Sequence, residues 1–152
     1  MTLCWASDVL YGPMTHPELL RVLAAAGHGA KILLADGNYP HSVWVGPRAE
    51  RIALNLAPGL LTVDDVLEVL KKTVPIESAA IMVPGPGADM PTHIPAHDGY
   101  RASLPDIGFD EVPRFDFYAL AKTDDVFCVV ATGDQRLYAN LLLTIGVRQP
   151  KE

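Results

Sequence analysis

Apolar positions recur along this chain at two periods. Leu19, Val22, Leu23 and Ala26 fall at i, i+3, i+4 and i+7, one face of a helix. Thr15 suits its N-cap, Pro17 its first turn, and Glu18, three residues after Thr15, completes a capping box. Gly27 stands where a helix ends on a left-handed residue. Ile32–Ala35 is a continuous apolar run, the pattern of a strand covered on both faces, and Asp36 follows at its carboxyl end. Arg51–Leu56 alternates as a strand until Pro58-Gly59 breaks it. Thr62 with Asp65 caps a second helix, whose apolar face is Val63, Val66, Leu67 and Leu70. Lys71 and Lys72 suit the negative end of its dipole. Ser78–Val83 is the next buried strand, and Arg114–Lys122 a third helix after Pro113. Val126–Ala131 and Leu137–Leu143 are the last strands, the second ended by Gly146. Between the Ser78–Val83 strand and the third helix, Pro84–Pro113 is rich in Pro, His and Asp, the kind of irregular segment that carries function or hides a short helix. The elements on either side share one core, so it is not a domain linker. Helices alternating with apolar strands predict an α/β fold, one domain over residues 1–152 with a largely parallel sheet flanked by helices.

Composition narrows the function. The chain has 152 residues, 49% of them apolar, enough to bury a core. A formal charge of −6 argues against nucleic acid as the partner, because phosphate binding needs clustered Lys and Arg. No apolar run is long enough to span a bilayer, and Met1–Asp8 lacks a basic region followed by an apolar core, so neither membrane insertion nor a signal peptide is expected. Cys4 and Cys128, far apart and without metal-ligand spacing, fit a reduced, cytoplasmic protein better than a disulfide.

His28, flanked by Gly27 and Gly29, leads the candidates for chemistry, since imidazole titrates near neutral pH. It also fits a loop histidine that caps the carbonyls of the preceding helix. Asp36 is placed to hold a sugar hydroxyl or steer a histidine, or simply to form the Asp-Gly turn. A strand between His28 and Asp36 puts them near its opposite ends, so they share a pocket only if the His28 loop folds back or a neighbouring subunit supplies one of them. Tyr138 and Asn140 alternate on the last strand and so share a face, a polar spot among leucines. Both also have the alternative of bonding to nearby backbone. Arg114 opens a helix against the dipole, as a cation held for a ligand or one lying over apolar surface. His93 and His97 are four apart, but Pro91 and Pro95 rule out a regular helix there, which argues against a metal site. Dinucleotide, phosphate-loop and serine-hydrolase motifs are absent from the sequence.

Several segments together carry a resemblance. They are His16-Pro17-Glu18-Leu19-Leu20, Ala26-Gly27-His28-Gly29, Leu34-Ala35-Asp36 with Tyr39-Pro40, and Arg114-Phe115-Asp116-Phe117-Tyr118. Ala131-Thr132-Gly133-Asp134, Leu137-Tyr138-Ala139-Asn140 and Gly146-Val147 complete the set. In this order and spacing the chain resembles the RbsD/FucU family of sugar mutarotases, and within it the L-fucose branch. The resemblance implies an α/β fold, assembly into a ring (typically a homodecamer) with pockets at subunit contacts, a monosaccharide substrate and no cofactor. It implies His28 as the catalytic histidine and Asp36 as a sugar-binding aspartate. Arg114 falls where the ribose branch has histidine, Tyr138 and Asn140 match a sugar-contacting pair, and Tyr118 lies one helical turn from Arg114. Tyr138 is also a candidate proton relay. The segment Pro84–Pro113, residues Thr123–Asp125 and the chain before Thr15 depart from the family pattern. The activity implied is acid/base interconversion of sugar anomers. A ribose-type pyranase, or a non-catalytic sugar-binding or regulatory protein on the same scaffold, are the alternatives.

Overall fold

The computed structural model describes residues 9–151, so Cys4 and the expectation of no leader at Met1–Asp8 lie outside the described residues. Along the chain come α1 (Pro17–Ala25), β1 (Lys31–Ala35), β2 (Glu50–Ala53), α2 (Val63–Leu70) and β3 (Ile76–Val83). Then follow α3 (Pro95–Ser103), β4 (Phe109–Pro113), α4 (Arg114–Ala121), β5 (Val126–Ala131) and β6 (Leu141–Ile145). The strands form a single six-stranded sheet in the order β2-β5-β1-β6-β3-β4. Its pairs β2–β5, β1–β5 and β3–β4 are parallel, and β6 runs antiparallel to both β1 and β3.

Strand alternation divides the core in two. Ile32, Leu34, Cys128, Val130, Leu141 and Leu143 pack with α1, α2 and α3. Leu33, Ala35, Val129, Leu142, Ala80 and Met82 pack with Phe117, Tyr118 and Ala121 of α4 and with Tyr39, Val45 and Ala49. Both faces are covered, which is why Ile32–Ala35 reads as unbroken apolar sequence. Cys128 is buried in this core, and burial pushes its thiol up to about 12, so it packs as a small hydrophobe. No helix among the described residues is long and apolar enough to cross a membrane.

The local signals fare unevenly. Thr62 and Asp65 form the expected capping box, and Val63, Val66, Leu67 and Leu70 are all buried. At α1 the cap is His16 rather than Thr15, its Nδ1 accepting the Leu19 N–H at 3.2 Å. The helix leaves through Ala26 in an extended conformation, and the left-handed residue is Gly29 at φ 85°, not Gly27. The segment Pro84–Pro113 holds both α3 and β4. Pro95, read as an obstacle to a helix, is its first residue, where a missing N–H costs nothing. Tyr138 and Asn140 are not on β6, which begins at Leu141, but in the connection before it.

That connection is pinned to the N-terminus of α2. The Asp134 carboxylate, buried at 1% exposure, accepts the Val63 N–H at 3.0 Å and pairs with Arg136, which also reaches Asp64. Burial opposes its ionisation, but the hydrogen bonds from the Arg136 side chain and the Val63 N–H outweigh it and hold the carboxyl below its ordinary value of 3.8. A lowered carboxyl stabilises the fold above the unfolded value, and that contribution is lost as pH falls through the folded one. Urea midpoints recorded against pH are therefore expected to fall for the native chain as pH drops below 3.8. In Asp134→Asn they are expected to be lower at neutral pH and to change less across that acid window.

Candidate functional site

The direction of β6 builds the site. Because β6 is antiparallel, its first residue, Leu141, pairs with Leu34 near the end of β1 and with Ile81 of β3. The residues just before it therefore lie at the carboxyl ends of β1 and β3. Asp36 follows β1 there, and Arg114 follows β4, which runs parallel to β3. A cavity of about 270 Å³ opens at this edge, lined by Asp36, Met82, Arg114, Tyr118, Tyr138 and Asn140 among others. Ligand crevices of open α/β sheets form outside such strand ends.

Asp36 and Asn140, 104 residues apart, are locked by two hydrogen bonds. The Asp36 backbone N–H donates to Asn140 Oδ1 at 2.8 Å, and Asn140 Nδ2 donates to Asp36 Oδ2 at 3.0 Å. This pairing sets which way the amide points. The second carboxylate oxygen accepts the Asn38 N–H at 2.9 Å. Burial raises the Asp36 carboxyl above its ordinary value, against the pull of the Asn38, Tyr39 and Ala139 backbone N–H groups. Each oxygen keeps a lone pair, and a ligand hydroxyl donating to it would offset the desolvation of the charge.

Opposite Asp36, the first turn of α4 supplies Arg114. Its Nε–H donates to the Tyr118 hydroxyl at 3.0 Å, which is why the two are spaced one helical turn apart. That hydroxyl, with a smaller contribution from Tyr138, raises the guanidinium above its ordinary value and keeps it charged. Tyr118 is wedged between Trp44, stacked with centroids 5.3 Å apart, and Tyr39, edge-on at 5.5 Å. The Tyr39 hydroxyl donates to the Trp44 carbonyl at 2.8 Å, and burial drives its ionisation far out of reach. The aromatic wall is thus rigid, and Arg114 is aimed from it.

The structure gathers Asp36, Arg114, Tyr118, Tyr138 and Asn140 in one cavity. Sequence reading missed Asn38, Tyr39, Met82, Met90 and Leu137, which also line it. Asn38 and Tyr39 had a signal, since they share the loop that Asp36 opens. Met90 had none, although it shows that the irregular Pro84–Pro113 segment does help wall the pocket. His28 is not in this cavity. It precedes β1, at the opposite end of the strands from the cavity, 57% exposed, with Nε2 2.8 Å from Glu77 Oε2. The five residues of β1 alone hold it more than about 13 Å from Asp36. His93 and His97 also diverge: His93 pairs with Asp98 on the surface at 2.6 Å, and His97 turns into the core.

A carboxylate, two amides, a guanidinium and phenols around one small crevice at the carboxyl ends of an α/β sheet have the hydrogen-bonding chemistry to hold a small polyhydroxylated molecule. The chain belongs to the RbsD / FucU transport protein family, whose model matches residues 10–148. It is 39% identical over 147 residues to the fucose mutarotase of Danio rerio, with 90% of this chain and 91% of that one covered. The D-ribose pyranase of Variovorax paradoxus is 35% identical over 136 residues, with 88% and 95% covered. The structure of the fucose mutarotase from Streptococcus pneumoniae in complex with L-fucose matches with a TM-score of 0.72 at 27% identity, over 91% of this chain and 99% of that one.

Proposed function

We propose that this protein is a sugar mutarotase that interconverts the α and β anomers of a monosaccharide, L-fucose in the first place. The observation that carries the reading is the convergence of Asp36, Arg114, Tyr118, Tyr138 and Asn140 on one cavity, with fucose mutarotases among its relatives. In the reaction a base takes the proton of the anomeric hydroxyl, and the bond from C1 to the ring oxygen breaks as C1=O forms. The ring oxygen takes up the electron pair and a proton. Rotation about C1–C2 and reclosure give the other anomer. Atoms and electrons balance with one proton moved, a task for one imidazole and a relay. Asp36, Asn140 and Arg114 hold hydroxyls, Tyr138 relays a proton, and His28 is the acid/base.

His28 reaches a cavity only if another copy of the chain supplies it. The reading includes the homo-oligomeric ring, a decamer, that the resemblance implies, with each site completed across a subunit contact. Leu137 of the cavity wall, Trp44 stacked on Tyr118 and Phe115 beneath the Arg114 guanidinium are all exposed and suit such a contact. Residues 1–152 act as one domain, supported by one sheet with both faces covered. A cytoplasmic location rests on the sparse, widely separated cysteines of the sequence.

Ribose-type pyranose–furanose interconversion is the second reading, favoured by the D-ribose pyranase among the relatives. Saturation-transfer NMR of anomer exchange decides between them. The native chain is expected to accelerate L-fucose exchange above the buffer rate and D-ribose less. Arg114→His is expected to narrow or reverse that ranking, because it shortens the side chain and removes the bidentate donor. Equal D-ribose and L-fucose rates in the native chain would favour the second reading. No acceleration of any sugar would leave a binding protein.

A further inference from the structure

The Tyr138 backbone is unusual in a way the cavity does not explain. At φ 59° it is the only non-glycine residue in the left-handed region among the described residues. A bulky side chain keeps that conformation only where its surroundings over-determine it. Those surroundings are two buried polar side chains of α3, neither of them in the cavity. His97, 4% exposed, brings Nε2 2.8 Å from the Tyr138 carbonyl, and Tyr100, fully buried, donates its hydroxyl to the Ala139 carbonyl at 2.8 Å. A carbonyl only accepts, so His97 carries its proton on Nε2. Burial lowers the imidazole below its ordinary value, which favours the neutral ring.

Consecutive carbonyls drawn into the core fix the peptide planes on both sides of Ala139. If Tyr138 relaxed to negative φ, the carbonyls would swing away from α3 and leave buried acceptors and donors unpaired. Held as they are, they turn the phenol outward to the cavity and set Asn140 against Asp36. We propose that His97 and Tyr100 are positioning residues, which act from behind the site by holding Tyr138 left-handed so that its hydroxyl faces the sugar. This rests on the mutarotase reading only for its activity readout.

The test uses the full chain, four single variants and one double variant. His97→Phe fills the space without a donor, His97→Gln keeps one, Tyr100→Phe removes the second, and Tyr138→Phe removes the phenol. Native exchange is measured first, so failure of the functional reading is seen on its own. His97→Phe is expected to lower kcat about 10-fold with KM changed less than about 2-fold, and His97→Gln to recover most of it. In a Tyr138→Phe background, His97→Phe is expected to cost little more, because the group it aims is gone. A fully additive loss, or an unaltered kcat in both His97→Phe and Tyr100→Phe, would overturn the proposal. A crystal structure of His97→Phe decides it without any activity: Tyr138 relaxed to negative φ supports it, and Tyr138 unmoved overturns it. If His97→Phe does not fold, Tyr100→Phe carries the same comparison with the same two outcomes.

Discussion

Two inactive variants, His28→Ala and Asp36→Asn, are expected to recover roughly a quarter of native anomer exchange when co-expressed in equal amounts. Alone, His28→Ala should lose on the order of 10²–10⁴-fold, the range of a missing general acid/base. Asp36→Asn should lose sugar binding, because its new amide faces the Asn140 Nδ2 donor and the charged acceptor is gone. The two residues lie at opposite ends of β1, so under the proposed function a competent site would take His28 from one copy and Asp36 from its neighbour. Random mixing gives one subunit pair in about four with both side chains intact. Recovery of that size establishes a site shared between subunits. An absence of recovery with assembled particles would mean that His28 of one copy does not complete a site with Asp36 of another.

Gly133→Ala is expected to destabilise the fold by about 3 kcal/mol or more, among the largest single-residue effects in this chain. A methyl at this position would overlap the carbonyl oxygens of Ala57 and Leu60, backbone atoms with no rotamer to escape to. The same glycine ties the two segments together: its N–H donates to Leu61 O at 2.9 Å, and its carbonyl accepts the Gly59 N–H at 2.6 Å. A thermal midpoint lower by about 10 °C is the corresponding reading for a chain this size. Gly27→Ala is the control. Nothing lies within 4 Å of its added carbon and its φ is not positive, so its effect should stay within about 0.5 kcal/mol. A mild Gly133→Ala would mean that the 57–61 loop yields easily, and the connection carrying Asp134 and Tyr138 would then be less firmly placed than its contacts imply.

Short-range signals read well. Thr62 and Asp65 are three apart, so their reciprocal bonds are visible in sequence alone, and the buried faces of α1 and α2 follow from spacing. Where two residues competed for one role, spacing could not choose: His16 rather than Thr15 caps α1. The strand β4 escaped notice because it lies at the sheet edge, where Asp110, Glu111 and Pro113 cost no central ladder bonds and the alternation is weak. The alternation of Tyr138 and Asn140 imitated a strand, although a left-handed Tyr138 rules one out. They do face the same cavity, as the alternation implied, through a turn instead of a pleat.

The sequence by itself determined the α/β class, the helices α1, α2 and α4, the apolar faces of the first two, the buried strand ahead of Asp36, and five of the residues that line the cavity. These depend on neighbours within a few positions, where periodicity and capping chemistry act. The tertiary structure alone decided that β6 runs antiparallel, that Asp36 meets Asn140 across 104 residues, and that α3 holds Tyr138 from behind. It also decided that His28 stands at the opposite end of the strands from Asp36, beside Glu77. The energies that settle such matters come from which faces can be buried together, and a residue's neighbours in sequence carry no record of which distant strand will lie beside it.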